Sequence, residues 1–221
     1  MAPLTSAIQD YLKAMYLLAE PRGEVGGGVS TTELATRLNV SAASATSMLK
    51  KLDALGLVSH IPYRGAELTD SGRRIALEIV RHHRLLETYL AEALGVPWDQ
   101  VHDEAEVLEH VLSEELEERI AHKLGDPTAD PHGHPIPTKD GEVAAMSART
   151  LWDAPDGLSV VVERVSDSDS DVLRHLAEIG VTPGATAHVV RRGPVGGPLF
   201  IEVDEREQAV SQEVAEAVWV S

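Results

Sequence analysis

Residues 30–69 read STTELATRLNVSAASATSMLKKLDALGLVSHIPYRGAELT, and this stretch decides the fold of the first third of the chain. Ser30 followed by Glu33 has the form of a capping box, in which hydroxyl and carboxylate each satisfy the other's backbone N–H. A short helix is predicted over Thr32–Leu38. Asn39-Val40-Ser41 turns the chain, and Ser41 opens a second helix over Ala42–Leu55 that stops at Gly56. Leu57–Ile61, the turn Pro62-Tyr63-Arg64-Gly65 and Ala66–Thr69 then read as a strand–turn–strand hairpin. Upstream, residues 5–20 form a helix with Ile8, Leu12, Met15 and Tyr16 in one apolar stripe, followed by a Gly-rich loop over Arg22–Gly28. Helix, short helix, turn, helix, hairpin is the order of a winged helix-turn-helix domain.

The second helix of that pair carries a DNA-facing pattern. Ser41, Ala43, Ser44, Thr46 and Ser47 are small, and Lys50 and Lys51 follow them. Short side chains let a helix approach a groove closely, and hydroxyls bond phosphates or base edges. Arg64, at the hairpin tip, is placed to meet the DNA backbone or minor groove. The plainer alternative is a helical packing module with a solvated Ser/Thr face.

Charge distribution favours the DNA reading although the 221-residue chain carries a net charge of −17. Residues 1–75 hold eight basic and seven acidic side chains, a net of +1, so the remainder carries −18. The composition, 43% hydrophobic and 25% charged, is that of a soluble globular protein. The first twenty residues lack a basic n-region and a cleavage site, so they read as fold rather than signal peptide. No apolar run approaches the ~20 residues a bilayer span needs. Zero cysteines exclude disulfides, zinc fingers and iron–sulfur clusters, and leave only N and O donors for any metal. A cytoplasmic location without membrane association is expected.

Beyond the hairpin, a long helix is predicted over residues 71–95, then helices over Trp98–His110 and Ser113–Leu124. They offer more apolar surface than so few helices can bury alone, which points to self-association. Glu114, Glu115, Glu117 and Glu118 read as a solvated face. The proline-rich stretch Gly125–Gly141 reads as a linker, with His132 and His134 as solvated loop residues. From Leu158 the character is β: strands over Leu158–Val165, Ala187–Arg191, Leu199–Val203 and Ala217–Val220, with a helix over Val172–Ile179 capped by the acidic turn Ser166–Asp171. A small barrel of about five strands fits this pattern.

Six metal-capable side chains lie between residues 83 and 110 at helical spacing: His83, Glu87, His102, Glu106, Glu109 and His110. His83 and Glu87 share a face, and so do His102, Glu106 and His110, with Glu109 beside them. Residues 101–118, VHDEAEVLEHVLSEELEE, contain no Lys or Arg. Carboxylates this dense repel one another unless solvent or a cation relieves them, and a divalent ion would also use the imidazoles. Carboxylate–imidazole sets without sulfur suit Mn²⁺, Fe²⁺, Co²⁺ or Zn²⁺. At this point a metal-responsive regulator and a dinuclear metal enzyme or metal-storage protein both remain open.

The order of the pieces, and above all HRLLE followed by VHDEAEVLEH, resembles the diphtheria toxin repressor family of metal-dependent transcriptional regulators. The likeness also runs through DYLKAMYLL, VSAASATSMLKKLDALGLV, LTDSGRRIA and EIGVTPGA, and so covers essentially the whole chain. It implies a mainly α protein with a C-terminal β module: a winged helix-turn-helix domain over 1–72, a helical metal-binding and dimerisation domain over 73–142, and an SH3-like domain over 151–221. It also implies two metal sites. Asp10, Glu106, Glu109 and His110 match the primary, activating site. His83, Glu87 and His102 match the ancillary site, with Asp167 as its acceptor from the C-terminal domain. Iron-type members have Met and Cys where this chain has Asp10 and Glu106, so its ligands look manganese-like. Lys13 stands where short manganese-type members place a further Glu, and such members can pair two metals through one histidine. The resemblance implies a homodimer that binds operator DNA in response to Mn²⁺ or, alternatively, Fe²⁺, and represses metal-uptake genes; it is not an enzyme.

Overall fold

Local chemistry along the first third produces the anticipated elements. In the computed structural model, which describes residues 4–19, 28–61 and 65–221, α1 spans Ser6–Ala19, and Ile8, Leu12, Met15 and Tyr16 are all buried. The Ser30/Glu33 capping box is formed in both directions and opens α2, Thr31–Arg37. Ser41 caps α3, Ala42–Ala54, accepting from the Ser44 N–H at 3.1 Å. Gly56 adopts φ +69° just past α3, and the bonds Gly56 N–H to Asp53 O and Leu57 N–H to Leu52 O close a Schellman motif. The hairpin pairs β1, Val58–Ile61, with β2, Gly65–Leu68, in the register Val58↔Leu68. Gly65 is required here: at φ +97° its backbone passes so close to Val29 that a Cβ would lie 2.1 Å from that residue's carbonyl oxygen. The predicted turn at 62–64, Arg64 included, and positions 22–27 of the Gly-rich loop lie outside the described residues.

The chain divides into two compact units, Met1–His82 with Glu109–Val111 and Pro137–Glu142, and His83–Leu108 with Leu112–Ile136 and Val143–Ser221. The long helix α4, Asp70–Leu94, runs through the division. In the second unit α5, Val101–Leu108, and α6, Glu114–Lys123, pack Val101, Ala105, Ile120 and Ala121 against Leu85, Leu86 and Leu90 of α4. The sheet follows as β3 (Ser159–Val165), β4 (Thr186–Arg192), β5 (Leu199–Val203), β6 (Arg206–Val210) and β7 (Val218–Val220), all antiparallel in the order β6-β5-β4-β3-β7. Helices α7, Ser170–Glu178, and α8, Gln212–Glu216, are tied to it. Leu173, Leu176, Val160, Val162, Val189 and Ile201 fill its core. The mainly α architecture with a small C-terminal β module is therefore as the sequence suggested. Among the described residues no helix is long and apolar enough to cross a membrane.

Four expectations need correction. Helix α5 ends at Leu108, so Glu109 and His110 sit in a turn beyond it and His110 does not extend the helical face of His102 and Glu106. The Glu109 carbonyl meets His82 Nδ1 at 3.3 Å, a tertiary contact in place of a further turn of helix. Glu117 is not solvated: it shares the buried face of α6 with Ile120 and Ala121, three and four residues on. Strand β6 and helix α8 were not anticipated, because REQAV is polar and mostly exposed at the sheet edge.

The largest correction concerns residues 125–136, which are ordered and partly buried rather than a linker. Asp130 Oδ1 accepts from the N–H groups of His132 and His134 at 2.8 and 3.0 Å, making a tight polar turn. Ala129 bridges Pro135, Arg84 Nη1 donates to the Pro135 carbonyl, and Ile136 joins the helical core. Gly133, at φ +87°, runs against β3, where a Cβ would lie 2.1 Å from the Glu163 carbonyl oxygen. His132 is fully buried as a result.

Candidate metal centres

Two clusters of donors are assembled. In the first unit, α1 presents Gln9, Asp10 and Lys13, and the turn after α5 supplies Glu109 and His110. Asp10 Oδ1 lies 2.9 Å from His110 Nε2, and Gln9 Oε1 lies 2.9 Å from His110 Nδ1. A Gln amide oxygen can only accept, so it holds the proton on Nδ1 and turns Nε2 toward Asp10. Nε2 and a carboxylate oxygen at that distance require a proton or a cation between them. Glu109 Oε1 lies 3.8 Å from the same Nε2.

The second cluster lies wholly in the second unit. His83 Nε2 is 3.0 Å from Glu87 Oε1 and 3.1 Å from His102 Nδ1, and His102 Nδ1 is 3.2 Å from the same Glu87 oxygen. Asp167 Oδ2 is 3.6 Å from His102 Nδ1. Donor atoms about 3 Å apart have the spacing expected around a divalent ion with bonds of about 2.1 Å. Glu106 belongs to this unit, with Oε1 4.0 Å from His83 Nδ1 and 3.7 Å from His102 Nε2.

His132, which sequence reasoning set aside, reaches the same place. Its Nε2 donates to the Trp98 carbonyl at 2.8 Å, and its Nδ1 faces Glu87 Oε2 at 3.8 Å. Both of these facing atoms are buried with no hydrogen-bond partner among the described residues. A carboxylate oxygen and a ring nitrogen left this way fit a cation between them, so the residues present suit a divalent ion. Burial would raise the Glu87 carboxyl, but His83, His102 and His132 outweigh it and hold the group well below the usual carboxylate range. Burial would likewise lower His132, but Glu87, Asp130 and Asp167 bring it up to about 9. Asp167 is lowered: His134, His102 and His132 together outweigh burial and the Glu87 charge.

Asp130 and His134 form a third grouping beside the second cluster. Asp130 Oδ2 lies 3.3 Å from His134 Nδ1 and 3.8 Å from Arg84 Nε. Burial would lower His134, yet Asp130 raises it. With an arginine already facing Asp130, this is a structural knot that positions His132. The signal that could have found it is the tract PHGHP, where a glycine and two prolines leave the histidines little conformational freedom.

The residues expected to face DNA, Arg64 apart, lie along α3 and at its N-cap. Ser41, Ala43, Ser44, Thr46, Ser47, Lys50 and Lys51 are all exposed on α3, while Ala45 and Leu52 turn inward. Thr46 Oγ1 donates to the Ala42 carbonyl at 2.7 Å, which leaves its oxygen free to accept.

Three family descriptions match successive stretches of the chain. Residues 3–66 match the family description "Iron dependent repressor, N-terminal DNA binding domain", residues 69–138 "Iron dependent repressor, metal binding and dimerisation domain", and residues 149–221 "FeoA domain". The iron-dependent repressor IdeR of Mycobacterium leprae is 32% identical over 232 residues, covering all of this chain and 99% of that protein. The diphtheria toxin repressor of Corynebacterium efficiens is 36% identical over 200 residues, 86% of this chain and 85% of that one. A structure described as a manganese-dependent transcriptional repressor in complex with manganese superposes with a TM-score of 0.88 at 44% identity, covering 96% of this chain and 98% of the other. ScaR with bound Zn²⁺ gives 0.82 at 32% identity, covering 97% and 98%. The likeness extends from one end of the chain to the other, and the chain belongs to the iron-dependent repressor, or diphtheria toxin repressor, family.

Proposed function

We propose that this chain is a DNA-binding transcriptional repressor switched by Mn²⁺, with Fe²⁺ as the alternative metal, working as a cytoplasmic homodimer on operators of metal-uptake genes. The observation that carries the reading is Asp10: a residue of the first helix of the DNA-reading module closes on His110 at 2.9 Å. An enzyme or storage protein on the same helices would need no donor from that module. Proteins similar over their whole length are repressors by name, which leaves the enzyme reading unsupported.

In this reading Asp10, Glu109 and His110 hold the activating ion, and Glu106 is assigned there by the family resemblance. His83, Glu87, His102 and Asp167 hold a second ion, and we add His132 to that set on its facing distance of 3.8 Å. A bound divalent ion supplies charge that the crowded carboxylates can share. Gln9 orients the His110 ring, so Nε2 is presented to that ion. Asp10 carries the link into α1, whose Leu12 and Met15 are locked in the core. The conformation that binds DNA is thereby favoured over its alternatives. On the other face Ser41, Ala43, Ser44, Thr46 and Ser47 meet the groove, Lys50 and Lys51 meet phosphates, and Arg64 completes the contact from the wing. We take 1–72, 73–142 and 151–221 as the DNA-binding, metal-binding and dimerisation, and SH3-like domains. Leu94, Val107, Leu108 and Leu116 are exposed and supply apolar surface for the dimer.

Fluorescence anisotropy on DNA upstream of the chain's own gene and of metal-transporter genes tests the switch. Adding Mn²⁺ to chelated protein is expected to tighten binding by roughly 5- to 150-fold. Asp10→Ala is expected to abolish that gain. Binding indifferent to Mn²⁺ would sink the reading.

A further inference from the structure

The two oxygens of the Glu87 carboxylate face different partners. Oε1 lies 3.0 Å from His83 Nε2 and 3.2 Å from His102 Nδ1. Oε2 lies 3.8 Å from His132 Nδ1, and both atoms of that facing pair belong to fully buried residues. His132 is held in this pose by contacts on all its polar groups. Its Nε2 faces the Trp98 carbonyl at 2.8 Å, and its ring stacks on Trp98 with centroids 5.6 Å apart. Its N–H donates to Asp130 Oδ1 at 2.8 Å, and its carbonyl accepts from Val165 N–H at 2.9 Å. A carbonyl can only accept, so the Trp98 contact keeps a proton on Nε2 and makes Nδ1 the nitrogen that can ligate. Asp167, two residues beyond Val165, brings Oδ2 to 3.6 Å from His102 Nδ1.

Donor number separates the metals that imidazoles and carboxylates hold. Zn²⁺ is satisfied by four donors, whereas Mn²⁺ takes octahedral sets rich in oxygen. His83 Nε2, His102 Nδ1, Asp167 Oδ2 and Glu87 Oε1 make four, a set that suits Zn²⁺. Glu87 Oε2 and His132 Nδ1 bring the set to six, three nitrogens and three oxygens. An ion held by both oxygens of this one carboxylate meets both groups of histidines. The neighbouring acids add none of the six. Glu106 Oε1 faces the opposite ring nitrogens, His83 Nδ1 and His102 Nε2, and Asp130 Oδ2 faces His134 and Arg84. Intrinsic affinity favours Zn²⁺ over Mn²⁺, so only coordination geometry can work in the other direction. We propose that His132, with the second oxygen of Glu87, turns a four-donor site into a six-donor one and thereby sets the second site for Mn²⁺ against Zn²⁺. The inference rests on the reading of this cluster as the second metal site.

Full-length Asp10→Ala protein, in which the first site is disabled, tests it. This protein is expected to keep one Mn²⁺ per subunit by elemental analysis. Co²⁺ added in place of Mn²⁺ reports donor number without any change at position 132: six donors give weak visible absorption and four give an intense band. The weak spectrum is expected, and the intense one overturns the inference. Adding His132→Leu in the same background should weaken Mn²⁺ at least about tenfold in calorimetric titration, as loss even of a ligand's hydrogen-bond partner does. Zn²⁺ should weaken less than about threefold, since its four donors remain, and that retention shows the variant is folded. The Co²⁺ band should intensify. Equal weakening of both metals, or of neither, overturns the assignment of His132. Two Mn²⁺ per subunit in Asp10→Ala would overturn it as well, because Glu87 would then bridge two ions. Asp10→Ala protein that binds no Mn²⁺ removes the second ion from the proposed function and this inference with it. One ion retained, with the wrong Co²⁺ spectrum or no discrimination at His132, overturns this inference alone.

Discussion

In the first cluster Glu109 is neutralised by a lysine, and in the second Glu87 is neutralised by imidazoles. The first also draws on segments far apart in sequence, α1 and the turn after α5, with an Asp10 side chain that is 36% exposed. The second sits around a fully buried Glu87, with His83 and His132 buried beside it. Neutralisation by imidazole is exchangeable for a metal, because each ring can release a proton and offer its lone pair. Neutralisation by ammonium is not. Under the proposed function the contrast separates two tasks: the second cluster holds its unit together, while the first is the site whose occupancy changes what α1 is tied to.

The strongest way to break this contrast is Glu87→Ala. Removing one partner of a buried charge group strands the others, at a cost of about 3–5 kcal/mol. Three histidines face Glu87, at 3.0, 3.2 and 3.8 Å, and all three lose that buried carboxylate on its removal. Urea denaturation in chelator should show that loss directly. A variant within about 1 kcal/mol of the native chain would mean that the second cluster is organised by metal alone.

How far the sequence discloses the two clusters follows from how each is built. Spacing along one helix is a local property, so His83 with Glu87 and His102 with Glu106 were legible at four-residue intervals. The capping box at Ser30 and the stop at Gly56 were legible for the same reason: their chemistry closes within a few residues. The meeting of Asp10 with His110 was reached only through resemblance, because no local pattern joins positions so far apart. His132 was missed outright. Composition marks Gly125–Gly141 as loop, and only tertiary burial, through the Asp130 turn, the Gly133 approach to β3 and the Trp98 carbonyl, turns its imidazole toward Glu87. Lys13 was noted as a departure from other sequences, but its ion pair depends on where Glu109 falls after α5 ends.

A pH titration sharpens the comparison from the other side. His132 is raised from 6.5 to about 9 in the metal-free fold, chiefly by Glu87 acting against burial. A raised folded pKa contributes stability that is fully present below about pH 6.5 and is lost as pH rises through about 9. The chelated protein should therefore lose about 3 kcal/mol across that window from this group. His132→Leu should flatten the alkaline limb by the same amount. The depressed Glu87 acts at the other end: its contribution is lost only as pH falls through a value well below 4.5. An identical alkaline limb in wild type and His132→Leu would remove His132 from the second cluster.

The smallest expected effect on stability is also the most discriminating. Asp10 faces His110 at 2.9 Å, but its side chain is 36% exposed, so water already solvates much of its charge. Pairs of that kind contribute about 0–1 kcal/mol, and Asp10→Ala in chelator should cost no more than about 1 kcal/mol in urea denaturation. Substitution of a buried carboxylate in the second cluster should cost several times that. The two variants are then opposite in kind: Glu87→Ala is unstable before any metal is added, whereas Asp10→Ala is stable and deaf to Mn²⁺ on DNA. If Asp10→Ala loses as much stability as Glu87→Ala, its carboxylate is a structural prop of α1, and the division between a holding cluster and a switching cluster fails. If it keeps its stability and its Mn²⁺ response together, the switch does not run through α1 at all.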